Sequence, residues 1–155
     1  MSLASLKRFF GDTLSSPAAA PADREEAVRT ATAAILLDIA YADDSFSMAE
    51  EARLLEFLRG RFGLSEEHAR DLLETADSIR ARTIDHWNLT NTIRSSVPLS
   101  DRIEIVRTMW RLVYTDTDLH QYENYLVRKL ADLLGIEHHV MIEAKMSVRS
   151  ELGLA

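Results

Sequence analysis

Residues 39–58 read IAYADDSFSMAEEARLLEFL, and residues 112–131 read LVYTDTDLHQYENYLVRKLA. At a constant offset of 73 residues, Tyr41 aligns with Tyr114, Asp43 with Asp116, Phe46 with Leu119, Glu50 with Glu123 and Phe57 with Leu130. Each stretch ends an apolar helical run on Tyr-x-Asp, turns through a short acidic loop, and restarts a helix with a glutamate near its first turn. An internal repeat of this kind marks one supersecondary unit used twice around a shared core. It also puts two acidic turns in equivalent places, and these are the candidate site.

Outward from the two turns, the chain reads as helices throughout. Asp23 is placed to cap a helix running to about Ala42, with Glu25 and Glu26 in the first turn, where the macrodipole favours acids. Its second half, AAILLDIAYA, is apolar nearly all round, the pattern of a central, buried helix. Ser47 and Glu50 have capping-box spacing and start a helix to about Phe62, which Gly63 stops. Ser65 caps a third helix, to about Arg80. A shorter one spans about Asp85 to Arg94. After Pro98, Ser100 starts a second nearly all-apolar helix through RIEIVRTMWRLVY. The next runs from about Gln121 to Leu134, with Leu126, Leu130, Leu133 and Leu134 at helical spacing and Gly135 as its stop. The last runs from about Glu137 to Leu152. No segment alternates with period two, so the fold class is all-α, built on a helical hairpin used twice.

Residues 1–20 stand apart from the domain expected over residues 21–155. Leu3, Leu6, Phe9 and Phe10 fall on one side of a short amphipathic segment and Lys7 and Arg8 on another, and SSPAAAPAD follows as a Pro- and Ala-rich linker. The segment suits peripheral membrane contact through residues 3–10, packing back on the domain, or dimerisation. One segment of this length would hold to a membrane only with a second signal.

Composition narrows the function classes. Apolar residues make up 46% and charged residues 28% of the 155, the balance of a globular domain with a real core. No run approaches the ~20 apolar residues that span a bilayer, and MSLASLKRFFGD lacks a secretory pattern. With no cysteine, disulfides, thiolate metal sites and Cys nucleophiles are excluded. These features together point to the cytoplasm. Residues 1–77 carry 15 acids and 8 bases, whereas residues 78–155 carry 10 of each. An acidic first half repels phosphate backbones, so nucleic acid is not an expected partner, while cations or a basic protein surface are. No nucleophile elbow and no Gly-rich phosphate loop occurs, so an enzyme is not expected.

The run AAILLDIAYADDSFSMAEEARLLEFLRGRFGLSEEHARDLLE resembles the first half of the TerB-like, tellurite-resistance-associated family. LSDRIEIVRTMWRLVYTDTDLHQYENYLVRKLADLLGI resembles its second half, and the likeness covers roughly residues 25–150. The resemblance implies seven or eight helices with internal pseudo-twofold symmetry, a cytoplasmic protein without established enzymatic activity, and a link to tellurite or other stress responses. It also implies a divalent-metal role for the acidic turns and a part in assemblies at the inner membrane surface, and a related domain accompanies membrane-anchored J-domain co-chaperones. The family commonly has Ala-Asp-Gly in the turn. Here Asp44 and Thr117 stand at the Gly positions, and β-branched Thr tolerates a positive φ poorly. The implied metal site therefore carries over to Asp43 more readily than to Asp116.

The turns admit two readings. Asp43 and Asp44 sit at a helix C-terminus, where the dipole disfavours acids and the last carbonyls lack intrahelical partners. A hard cation such as Ca²⁺ or Mg²⁺ would compensate, held by Asp43, Asp44 and Glu50 in the first copy and by Asp116, Asp118 and Glu123 in the second. The alternative is turn-and-cap chemistry, with Glu50 as the capping-box partner of Ser47 and the aspartates accepting backbone N–H groups. Asp38, the sole charge in its apolar run, aligns with Arg111. The two either pair across crossing helices or lie on thin exposed stripes. Trp110 reads as a core anchor, as does Trp87, which has an exposed contact surface as its alternative. His68 and His86 carry no assignment. His120 either starts a helix or joins the second turn around a transition metal.

Overall fold

The computed structural model describes residues 21–42, 46–82, 86–115 and 121–154, with backbone alone for residues 21, 22 and 121–123. Among the described residues there are seven helices and no strand: α1 Pro21–Ala40, α2 Met48–Phe62, α3 Glu66–Arg82, α4 Trp87–Ser96, α5 Leu99–Val113, α6 Gln121–Leu133 and α7 His138–Glu151. The all-α reading holds, and most helix ends fall within two residues of the sequence reading. The amphipathic segment read over residues 2–10 lies outside the described residues.

The helix ends follow local chemistry. α1 begins on Pro21 itself, where a missing N–H costs nothing, so Asp23 serves in the first turn instead of as the cap. Ser47 caps α2: the Glu50 N–H donates to Ser47 Oγ at 3.1 Å, and the Ser47 N–H donates to Glu50 Oε1 at 3.4 Å. Gly63 ends α2 in the left-handed region at φ 65°. Ser65 Oγ accepts from the His68 N–H at 3.1 Å and starts α3. One guanidinium closes two helices. Arg102 Nε donates to the Val97 carbonyl after α4 at 3.0 Å, and its Nη1 donates to the Leu134 carbonyl after α6 at 2.6 Å. Gly135 lies under this arginine with φ 75°, and an added Cβ would stand 3.0 Å from Arg102 Nη1.

α1 is the centre of the molecule. Ala31, Ala33, Ala34, Ile35 and Leu36 are fully buried, because α1 packs against α2, α3, α4, α5 and α6. A helix apolar on nearly every face has to be surrounded in this way. α5 is the second hub, in contact with α1, α2, α4, α6 and α7, and Trp110 on it is 1% exposed. Fully burying side chains of the size of Ile35, Leu54 or Leu58 contributes about 1.5–3 kcal/mol each before conformational entropy is set against it. Buried threonines are satisfied locally: Thr32, Thr92 and Thr108 each donate to the carbonyl four residues earlier. α1 packs most extensively on α3, and α5 on α7. Met48 and Gln121, the first residues of α2 and α6, lie 73 positions apart.

Candidate functional site

The first acidic turn connects α1 to α2. Tyr41 and Ala42 close α1, the Tyr41 N–H donating to the Leu37 carbonyl at 2.9 Å. On the far side Phe46 packs its ring against Tyr41 at 5.1 Å between centroids. Glu50 follows in the first turn of α2 and is 4% exposed. Its Oε1 accepts from both the backbone and the hydroxyl of Ser47. The capping-box role read for Glu50 is therefore present. The Ser47 hydrogen bonds and the positive end of the α2 dipole offset the cost of burying this carboxylate. Asp43, Asp44, Asp116 and Asp118 lie outside the described residues. Glu123 falls in the first turn of α6, and its side chain is likewise outside them. Among the described residues no group of three or more His, Asp or Glu side chains is arranged to hold a metal ion.

Beneath the first turn lies a polar cluster that the sequence reading missed. Asp38 is not on an exposed stripe. Its side chain is 17% exposed, and its Oδ2 accepts from His86 Nε2 at 2.6 Å while its Oδ1 lies 3.5 Å from Arg80 Nη1. Arg80 also donates to Asp77 Oδ1 through Nε and Nη2, and its guanidinium stacks 4.4 Å from the Tyr41 ring centroid. A carboxylate on α1 is thus tied to α3 and to the residue preceding α4. Sequence alone gives His86 no role, and the signal for one was Asp38 itself: a lone acid in a buried helix requires a partner.

Arg111 does not meet Asp38 either. It bonds Glu151 on α7 in a bidentate fork, at 2.8 Å and 3.1 Å, and Glu104 on its own helix α5 at 2.9 Å. Glu151 holds the Arg111 guanidinium above its ordinary pKa, with Glu104 adding to it against the opposing effect of burial. Arg111 in turn pulls the Glu151 carboxyl below the usual range. At Glu104 burial pushes the pKa up, but the combined hydrogen bonds and charges of Arg111 and Arg107 win and lower it. The acid Asp38 on α1 thus meets a base on α3, and the base Arg111 on α5 an acid on α7, while Asp101 at the start of α5 meets Arg61 of α2 at 3.3 Å. The Arg111 group borders a cleft of about 490 Å³ between α2 and α5, floored by Phe57 and Leu112. With Arg111 and Glu104 committed to each other, they are poor proton donors or acceptors at neutral pH.

Trp87 is not a core residue. It is 58% exposed at the start of α4, whereas Leu89 and Ile93 on the same helix are buried. Its alternative reading, a contact surface, is the one compatible with that position.

The fold is thus an all-helical domain with two hub helices, each followed in sequence by an acidic turn, and with Asp38 and Arg111 on them each paired from another element. The profile of the family described as Tellurite resistance protein TerB matches residues 29–146, and the chain belongs to that family. The match takes in both turns. No curated protein and no solved structure matches the chain. TerB is not in general a catalytic family. No described helix is long and apolar enough to cross a membrane.

Proposed function

We propose that this TerB-family protein acts without catalysis, as a cytoplasmic assembly module of the tellurite or general stress response, and that its two acidic turns take divalent cations. The observation that supports it is Glu50, a carboxylate 4% exposed at the edge of the first turn. The neighbouring Asp43 and Asp44 add two further carboxylates to the same short connection. Oxygen ligands of this kind suit Ca²⁺ or Mg²⁺. A second site formed by Asp116, Asp118 and Glu123, and a pseudo-twofold relation between the two hairpins, belong to the same proposal.

The test is thermal unfolding of EDTA-stripped protein titrated with Ca²⁺, Mg²⁺, Mn²⁺ and Zn²⁺, with Asp43→Asn and Asp116→Asn alongside. At about 100 times Kd a bound ion stabilises by about 2.7 kcal/mol, a rise of several degrees for a domain of this size. The rise is expected to saturate and to vanish in the variants. A flat response to every ion would remove the cation from the proposal.

The second reading is a metal-free interaction module that meets a protein partner, in solution or at a membrane surface. The capping box favours it, because Ser47 already occupies Glu50 Oε1. So does Trp87, an exposed residue of the type that anchors interfaces. On this reading Trp87→Ala abolishes partner capture while leaving the melting curve in place.

A further inference from the structure

A groove of about 430 Å³ runs along α1, α2 and α3 beside the first turn. Its floor is apolar: Leu37, Tyr41, Phe46 and Leu73. Its rim is acidic: Glu51, Glu74 and Asp77. The lining base, Arg70, is already held by Glu51 at 3.0 Å and Glu66 at 3.1 Å. Asp77 is bonded by Arg80, but Glu74 is exposed and makes no ion pair among the described residues. An apolar floor under a negative rim fits a short segment with apolar and aromatic side chains on one side and cations on the other.

We infer that residues 3–10 of the same chain occupy this groove. The segment reads LASLKRFF, with Leu3, Leu6, Phe9 and Phe10 to meet the floor, and Lys7 and Arg8 are the only bases before Arg24. Reach is sufficient. Leu37 lies 16 residues into α1, about 24 Å from its start. Residues 11–20 span up to about 33 Å when extended. Other grooves fit the cations less well. The α2–α5 cleft balances Glu56, Glu104 and Glu151 with Arg53, Arg61 and Arg111, and the groove between α6 and α7 sets Arg128 and Lys129 against Asp132 alone. The groove at the start of α1 offsets Glu26 and Asp71 with Arg29. The tether favours the chain's own segment over a second copy, since a linker long enough to span the two sites makes the contact intramolecular. This inference is independent of cation binding.

The chain has no cysteine, so introduced pairs report proximity directly. Full-length protein carrying Ser5→Cys with Ser78→Cys, one turn beyond Glu74 on α3 and so leaving the acidic rim intact, is compared with protein carrying Ser5→Cys and Glu143→Cys, the latter on α7 outside the groove. Ser78 is not buried and Glu143 is exposed, so both variants are expected to fold, which circular dichroism checks. In one redox buffer the disulfide between positions 5 and 78 is expected to form within the monomer at least about tenfold faster than the control. Adding Phe9→Ala and Phe10→Ala is expected to erase the difference. Equal rates for the two pairs overturn the inference. So does a disulfide found only between chains, which would give the groove to a second copy, and so does a rate unchanged by loss of the two phenylalanines.

Discussion

At the scale of single residues, Glu50 is where the two readings of the acidic turn separate. As a capping-box partner it needs an acceptor oxygen, which Gln also supplies. Glu50→Gln in EDTA is therefore predicted to stay within about 0.5 kcal/mol of the parent, whereas Ser47→Ala, which removes the cap itself, costs about 1 kcal/mol. Urea unfolding measures both. If Glu50 is also a cation ligand, the Gln variant alone loses the thermal shift with added ion, a response that capping does not produce. Asp38 shows where residue-level reading ended. Its isolation in an apolar run announced a buried charge. Its partners, Arg80 and His86, lie 42 and 48 residues further on, and no local pattern points to them. Asp38→Ala leaves a half-buried imidazole and a guanidinium short of an acceptor, and is predicted to cost about 2 kcal/mol. A loss no larger than that of an exposed acid such as Glu74 would mean that His86 and Arg80 readily find water.

At the scale of elements, the helices were legible because their signals are local. Ser47 with Glu50, Gly63 and Gly135 mark ends by hydrogen bonding and by left-handed backbone, both set within four residues. AAILLDIAYA marks burial by having almost no polar face to expose. Trp87 was less legible, because exposure at the start of a ten-residue helix depends on what packs beside it. The four aspartates of the turns were legible as chemistry, yet they lie outside the described residues, so their geometry adds nothing to the sequence reading. Gly60 gives an element-scale prediction of opposite sign to most. It sits inside α2, and beyond its chain neighbours and the backbone of its own helix nothing lies within 4 Å of where a Cβ would be. Gly60→Ala is predicted to stabilise the protein by about 0.5–1 kcal/mol, by restricting the unfolded chain without a clash. A melting temperature that falls instead would show that the α2–α5 cleft needs close approach at this position.

At the scale of the whole molecule, the Arg111 network links the hub helix α5 to the last helix, α7, and gives acid stability a direction. Glu104 and Glu151 have folded-state pKa values below their unfolded ones. Their contribution is therefore present above the unfolded carboxylate pKa of about 4.3 and is lost as pH falls through the lower folded values. Both carboxylates are more than a third exposed, so solvent screening holds the gain near about 1 kcal/mol. Arg111→Leu, which keeps much of the apolar stem, is predicted to lose that amount at pH 7. The deficit should shrink as pH falls from about 5 toward about 3, because the parent loses the same interaction by protonation. Urea unfolding across this range compares the two proteins without the screening that guanidinium would add. A deficit constant with pH would assign Arg111 a packing role along Leu112 and Trp110 and leave the hold on α7 to apolar contacts such as Met141 and Val148.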